Sequence, residues 1–443
     1  MNTQNFNALK ERSIAFRSES AEARIERLKK LEKWLTLNES EILEALKLDF
    51  NKPHFETLVS EVLPTLKELK YAIKNLKKWM RPKTVNTPIG LIGHKSWIRY
   101  ENKGVVLIIS PWNYPFMLAA VPLIAALASG NTAVIKPSEL TPNTSNLIRK
   151  MVEACFYSNE VTVELGDKEK TQELLQYRFD HVFFTGSTQV GKIVAKACAE
   201  HLIPTTLELG GKSPIIIDET ADIDFAVEKV LWSKFLNRGQ TCVAPDFAIV
   251  HADVATQFSE KLSHYAQQFN DTDKARIISE QHHQRLQNLL GKKVDFNKQT
   301  LELKFVENFN DPLMQEEIFG PILPIIKYKN ENELFNLAKQ AEKPLALYIF
   351  SKNQKLISET LEKLPSGGAG INSVIVHLGN HHLPFGGIGP SGSGEYHGYY
   401  GFIEMSHQRA VIKQSFLGLL GKLIAPPYIP FKRKIVDLIK NLN

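Results

Sequence analysis

Cysteine is scarce in this 443-residue chain: only Cys155, Cys198 and Cys242 occur, and no two have CxxC spacing. An odd count without that spacing excludes a disulfide framework, offers no zinc ligand set and fits a reducing compartment. Charge of one sign is also lacking. Lys plus Arg stand at 54 against 48 for Asp plus Glu, a formal +6, and only the C-terminal segment clusters basic residues, so no nucleic-acid reader is indicated. Long apolar runs are broken. The uncharged stretch 104–135 carries Pro111, Pro115 and Pro122 with Trp112, Asn113 and Asn131 among them, and reads as a buried strand, a sharp loop and a buried helix rather than a membrane span. The N-terminus lacks the basic-then-apolar layout of a secretory signal and contains Glu11 and Glu19, so a cytoplasmic location is expected. There is no fixed-period repeat and no low-complexity linker.

What remains is an ordinary globular composition, 43% hydrophobic and 23% charged, over a length that implies two or more domains. Segments 4–50 and 56–80 are rich in Glu, Lys, Leu and Ala at helical spacing and end at Arg81-Pro82, where proline stops a helix; they read as scaffold helices. Between Pro82 and Lys103 the pattern shortens into strand-like pieces broken by Gly90 and Gly93, which predicts a hairpin or extended excursion suited to assembly. From Gly104 strands and helices alternate: VVLIIS, MLAAVPLIAALASG, TAVIKP, a helix from Pro142 to Phe156, VTVELG, a further helix, HVFFTG. A second series runs through PIIIDE, AIVHAD, ILPIIKY and LYIFS. Alternation of this kind predicts an α/β fold with two parallel sheets in interleaved domains.

Several segments carry residue types suited to chemistry. HVFFTGSTQVGK is an apolar strand running into Gly186, Ser187 and Gly191 and then an amphipathic helix, a place where backbone N–H groups can meet a pyrophosphate. It is not GxGxxG and reads equally as a ligand-free turn. Lys136 and Glu139 in TAVIKPSE close a predicted strand at the sheet edge where α/β proteins bind ligands; a solvated loop pair is the plain alternative. Cys242 in FLNRGQTCVAPD follows a glycine in what looks like a loop entering a helix, a setting that lowers a thiol pKa; the plain alternative is a small buried hydrophobe, which is also the reading kept for Cys155 and Cys198. Glu208 in TTLELGGKSP follows a strand-like stretch and could project into a cleft as a general base, or be a turn residue. Asn113 in SPWNYP is an amide between two prolines, a rigid mount for an oxyanion donor or simply a turn.

Together SPWNYP, KPSE, FTGSTQVG, LELGGKSP, NRGQTC, EEIFGP and LPFGGIGPSGSGEYHG follow the order and spacing of the aldehyde dehydrogenase superfamily, and the chain resembles it from about residue 4 to 415. The short N-terminus, NRGQTCVAPD and the YHG segment resemble the class 3 and fatty-aldehyde branch. The resemblance implies a Rossmann-like cofactor domain (1–81 and 103–207), a catalytic domain (208–395), a small bridging and oligomerisation element (82–102 and 396–415) and an amphipathic tail (416–443). It implies Cys242 as nucleophile, Glu208 as the base activating hydrolytic water, and the Asn113 amide with the Cys242 N–H as oxyanion hole. It further implies cofactor contacts from Lys136 and Glu139 to the adenosine ribose, from Gly186, Ser187, Val190 and Gly191 to the pyrophosphate, and from Glu317 and Phe319 on the nicotinamide side, with Leu209 a further cofactor contact. Glu139 would repel a 2′-phosphate, so NAD is expected, with NADP possible. No metal is expected: His377, His381 and His382 read as loop or tunnel lining, because adjacent histidines do not easily face one ion.

The resemblance implies NAD(P)-dependent oxidation of an aldehyde, medium- or long-chain aliphatic or aromatic, to its acid through a thioester, in a homodimer. Tyr114, Met117, Thr241 and the 372–385 loop are the expected tunnel. A CoA-acylating enzyme or a non-catalytic member of the fold are the alternatives. Residues 297–312 depart from the family pattern by lacking its Pro-Thr strand before EEIFGP. The tail pairs apolar residues with Lys422, Lys432, Arg433, Lys434 and Lys440, suiting either peripheral contact with a membrane surface or docking on a partner subunit.

Overall fold

The computed structural model describes residues 1–88, 91, 93–268, 274–298, 301–414 and 425–440. Two six-stranded sheets organise the chain. In the first the spatial order is Gly392–Ser393, Thr205–Leu209, His181–Gly186, Val105–Ile109, Thr132–Lys136, Val161–Val163, parallel throughout except for Gly392–Ser393. Every residue of Val105–Ile109 and of Thr132–Lys136 is buried. That is why these strands read as unbroken apolar runs: a parallel sheet is covered on both faces. The helix Met117–Ser129, also buried at every residue, lies between this sheet and the N-terminal helices Ala21–Leu37 and Leu63–Trp79, which accounts for the uncharged stretch. Among the described residues no helix is long and apolar enough to cross a membrane.

The second sheet is wholly parallel, in the order Glu302–Phe305, Ile322–Tyr328, Phe247–His251, Pro214–Ile217, Ala346–Phe350, Gly368–Ile371. Its edge strand Glu302–Phe305 lies within the stretch that departs from the family pattern, so a strand forms there without the Pro-Thr sequence; residues 299 and 300 lie outside the described set. A third sheet is antiparallel, with His94–Asn102 between Lys83–Val85 and Ser406–Gln414. The chain is an α/β protein whose two sheets interleave in sequence. Glu208 belongs to a strand of the first sheet, and Gly392 pairs with it from 184 residues downstream. At Gly392 (φ +147°) a Cβ would stand 2.1 Å from the Leu207 carbonyl, so only glycine admits this crossing. Of the tail, residues 415–424 and 441–443 lie outside the described set, and Pro430–Lys440 is helical.

Candidate active site

The carboxyl ends of the first sheet's strands lie level, since Ile109 pairs with Lys136 and with Phe184, and Gly186 with Leu209. Such an edge is where open α/β sheets take ligands. Buried Lys136 forms a 2.7 Å ion pair with half-exposed Glu139. Two strands over, the Ser187 hydroxyl caps the helix Thr188–Ala199 by accepting the Val190 N–H at 3.4 Å. A Cβ on Gly191 would stand 2.5 Å from a Leu209 methyl, so the glycine draws this helix start against the neighbouring strand; one on Gly186 would meet the Phe184 ring at 2.6 Å. Ser187 and Val190 are left exposed at the helix N-terminus, whereas Leu209 is buried and gives its N–H to the Ser391 carbonyl at 3.1 Å. Lys136, Glu139, Gly186, Ser187, Val190 and Gly191 thus line one sheet edge without touching the cysteine.

Cys242 lies in a tight turn closed by the Ala244 N–H on the Thr241 carbonyl at 2.9 Å. No helix follows it; the next element is the strand Phe247–His251. The expectation of a loop entering a helix is therefore corrected, and with it the expectation of a lowered thiol pKa. Burial raises the Cys242 thiol well above its usual range, and the carboxylates of Glu317 and Glu208 raise it further, against an opposing pull from the Cys242 and Val243 N–H groups. The residue as a whole is nonetheless only partly buried, unlike Cys155 and Cys198. The turn is entered through left-handed backbone at Asn237 (φ 49°), Arg238 (φ 58°) and Gly239 (φ 72°).

Asn113 and Tyr114 are strapped to this turn. Asn113 Nδ2 donates to the Gln240 carbonyl at 3.1 Å, and the Tyr114 hydroxyl bonds the Thr241 Oγ1 at 2.7 Å. Asn237 Nδ2 reaches back to the Asn113 carbonyl at 2.8 Å. An amide and a backbone turn are thus locked together beside the thiol.

Glu208 is buried and neither carboxyl oxygen has a hydrogen-bond partner among the described residues. Burial, and then the charges of Glu404 and Glu395, hold it well above the usual carboxylate range. Glu317 is raised to about 8 by burial and then by Asp246, against a hydrogen bond from the Gly211 N–H and the charges of Lys212 and Arg285. A Cβ on Gly210 would overlap its carboxylate at 1.9 Å, so this glycine makes room for it. Phe319 has φ 53° and sets its ring edge-on to Trp112, 5.4 Å between centroids. Lys212, bonded to Asp246, the Leu313 carbonyl (2.7 Å) and the Glu316 carbonyl (3.0 Å), anchors this loop. Asp246 accepts the Ile318 N–H at 2.8 Å, Arg285 binds the Glu317 carbonyl at 3.2 Å, and His282 the Phe319 carbonyl at 2.8 Å.

The site therefore brings Cys242, Glu208, Asn113 and Glu317 to one place, with Phe319 beside Trp112 on its flank. Chemically it combines a thiol, an unpartnered carboxyl group that holds its proton tightly, and an amide donor. The histidines divide: His381 bonds Glu68 at 2.9 Å, His397 stands 3.6 Å from the same carboxylate, and His382 meets the Tyr71 hydroxyl at 3.1 Å. The Gly398 N–H also binds Glu68 at 2.6 Å, and although burial raises this carboxylate, these bonds hold it at about 2. The residue-level reading missed Lys52, Glu56, Glu61, Lys212, Asn237, Asp246, His282 and Arg285. Only Asn237 left a signal, as an Asn before Arg-Gly, since Asn tolerates left-handed backbone.

The profile of the aldehyde dehydrogenase family matches residues 4–302 and 305–411. The chain is 43% identical to the 4,4′-diaponeurosporen-aldehyde dehydrogenase of Staphylococcus aureus, over 98% of this chain and 97% of that one. It is 41% identical to aldehyde dehydrogenase family 3 member A2 of Pongo abelii, over 91% and 86%. Among solved structures, substrate-bound Staphylococcus aureus AldH superposes with a TM-score of 0.94 at 42% identity, covering 99% of both chains. An NAD-dependent aldehyde dehydrogenase from Sinorhizobium meliloti gives 0.85 at 27%, covering 96% and 88%.

Proposed function

The chain belongs to the aldehyde dehydrogenase family, and from that premise we propose that it oxidises an aldehyde to the carboxylic acid through a thioester on Cys242. The observation that carries the hydrolytic step is Glu208, a buried carboxylate with both oxygens unpartnered beside the thiol. Deprotonated Cys242 Sγ adds to the aldehyde carbon. The oxyanion so formed accepts from the Asn113 amide and the Cys242 N–H. When the former aldehyde hydrogen has left that carbon as hydride and the C=O bond has re-formed, the adduct is a thioester; Glu208 then draws a proton from a water as its oxygen attacks the acyl carbon, the C–S bond breaks to return the thiolate, and the acid leaves. A CoA-acylating enzyme needs no such base, which disfavours that reading.

NAD fits the sheet edge because Gly191 seats the helix start against Leu209 and leaves Ser187 and Val190 open to a pyrophosphate. Lys136 and Glu139 would meet the adenosine ribose, and Leu209, Glu317 and Phe319 the nicotinamide side. Bound there, the cofactor supplies the hydride acceptor. NADP is accommodated less readily because of Glu139. The name of the staphylococcal relative specifies 4,4′-diaponeurosporen-aldehyde; with Tyr114 buried and bonded to Thr241, and Met117 buried at the start of the next helix, an apolar aldehyde is the substrate class we favour. We place the cofactor domain on the first sheet, the catalytic domain on the second and the bridging element on the third, with Leu209 and Gly392–Ser393 of the first sheet lying beyond the 207/208 boundary. The exposed edge strand Ser406–Gln414 suits pairing with a second copy in a homodimer. Exposed Tyr428, Ile429 and Phe431 next to Lys432 and Arg433 suit peripheral contact with a membrane from the cytoplasmic side; equal flotation of full-length and 415-truncated protein would sink that last point.

The test follows NADH absorbance without CoA, on aldehydes from acetaldehyde to hexadecanal plus benzaldehyde. Wild type is expected to turn over, Cys242→Ala to make no NADH, and Glu208→Gln to stop after one burst. Turnover that begins only on adding CoA, or a fully active Glu208→Gln, defeats the hydrolytic reading.

A further inference from the structure

We propose that Lys52 and Glu61 are positioning residues for the oxyanion donor: a buried ion pair, outside every motif of the chain, that sets the Asn113 loop against the cysteine turn. The inference rests on the oxyanion role given to Asn113 above. Both side chains are 0% exposed and meet at 2.7 Å. The pair's polar atoms go to one loop. Glu61 Oε2 accepts the Phe116 and Met117 N–H groups at 3.0 and 3.1 Å, the leading donors of the buried helix Met117–Ser129. Lys52 Nζ lies 4.0 Å over the Tyr114 ring and 3.5 Å from the Asn113 carbonyl.

The opposite side of the hole is held from the same place. Glu56 accepts the Asn237 N–H at 2.7 Å, and Asn237 Nδ2 in turn bonds the carbonyls of Asn113 (2.8 Å) and Gln240 (3.2 Å). Glu56 stands just before, and Glu61 within, a π-helical turn, Leu58–Val62, inserted where His54–Thr57 would otherwise run straight into Leu63–Trp79. Such turns cluster at functional sites because the extra residue re-aims a side chain. Here Glu56 grips the cysteine turn while Glu61 grips the asparagine loop. Apolar side chains of similar volume would pack this region at no loss of stability, so stability alone gives little reason for a charge pair whose bonds converge on residues 113–117.

A double-mutant cycle tests this in the full-length protein. Lys52→Met and Asn113→Ala are compared singly and together for kcat, KM and NADH binding by fluorescence, with Glu61→Gln as the second probe of the pair should Lys52→Met not fold. Asn113→Ala is expected to lower kcat about 10²- to 10³-fold, as for loss of an oxyanion donor. Lys52→Met should lower kcat on the order of 10²-fold, as for a displacement of about 1 Å at the reacting atoms, with NADH affinity retained and Lys52→Arg restoring part of the rate. In the Asn113→Ala background the Lys52 substitution should cost nothing further. Additive losses, or an unchanged kcat in folded Lys52→Met or Glu61→Gln, overturn the positioning role while leaving the oxyanion reading standing. A fully active Asn113→Ala removes that reading and the inference with it.

Discussion

Replacing Glu317 by Gln should stabilise the protein, and increasingly so as the pH rises. The Glu317 carboxyl is raised from 4.5 to about 8 in the folded state, first by burial and then by Asp246. Folding therefore favours its protonated form. Below pH 4.5 the group is neutral in both states and makes no difference; as pH climbs toward 8 the unfolded chain ionises freely while the native state resists, and stability is lost. At about 1.4 kcal/mol per pH unit the native penalty is about 1 kcal/mol at pH 5, about 3 at pH 7 and about 5 at pH 8.5. Gln carries no charge at any pH and keeps an oxygen for the Gly211 N–H. With an unfolding entropy of about 2.1 cal/mol/K per residue over the chain, the gain in Tm is about 1 °C at pH 5, about 4 °C at pH 7 and about 5 °C at pH 8.5. Thermal unfolding of both proteins across that range measures the difference directly, and other titrating groups, Glu208 included, cancel between them. Parallel Tm curves from pH 5 to 8.5 would refute the assignment of a proton-holding Glu317.

Once ionised, the same carboxylate adds to the effect of burial in raising the Cys242 thiol, so iodoacetamide should label Cys242 more slowly than glutathione at pH 9 without cofactor, where Glu317 is charged, and faster in Glu317→Gln at that pH; labelling of the wild type ahead of glutathione contradicts this. Gly210→Ala places a Cβ 1.9 Å from the Glu317 carboxylate and must expel it, so steady-state turnover should fall at least tenfold while the protein stays folded, a cost of overpacking of about 1–3 kcal/mol; an unchanged kcat would show that the Glu317 position is immaterial. Glu139→Gln removes a half-exposed negative charge from beside Lys136. At about 1 kcal/mol for a charge pair in water at contact distance, the ratio of NADP to NAD in kcat/KM should rise several-fold, and no change would place the ribose elsewhere.

How much of this was legible follows from the kind of information each feature needs. The strands Val105–Ile109, Thr132–Lys136 and His181–Gly186 announced themselves because a strand covered on both faces is apolar at successive positions, and neighbouring residues suffice to show that. The pairing of Gly392 with Glu208 did not, since a two-residue strand has no period. Lys52 stands in the short link between the helices Glu39–Phe50 and His54–Thr57, and Glu61 in the π-helical turn after them, in a part of the chain rich in Glu and Lys. Nothing in composition or spacing separates a buried lysine from an exposed one three positions away. Glu317 was marked only by its motif, and its partners Lys212, Asp246 and Arg285 come from three other segments.

Residue types and motif order alone determined that this is an α/β aldehyde dehydrogenase with Cys242, Glu208 and Asn113 as its candidate reacting groups. What they could not determine is the state of those groups. The thiol was expected at a helix start with a lowered pKa; it lies in a turn before a strand, and its proton is held instead by burial and by two carboxylates, 34 and 75 residues away in the chain, counted from Glu208 and Glu317. A pKa is fixed by what surrounds an atom in space, which charges reach it and how much water remains, and those are properties of tertiary packing that no local stretch of sequence carries.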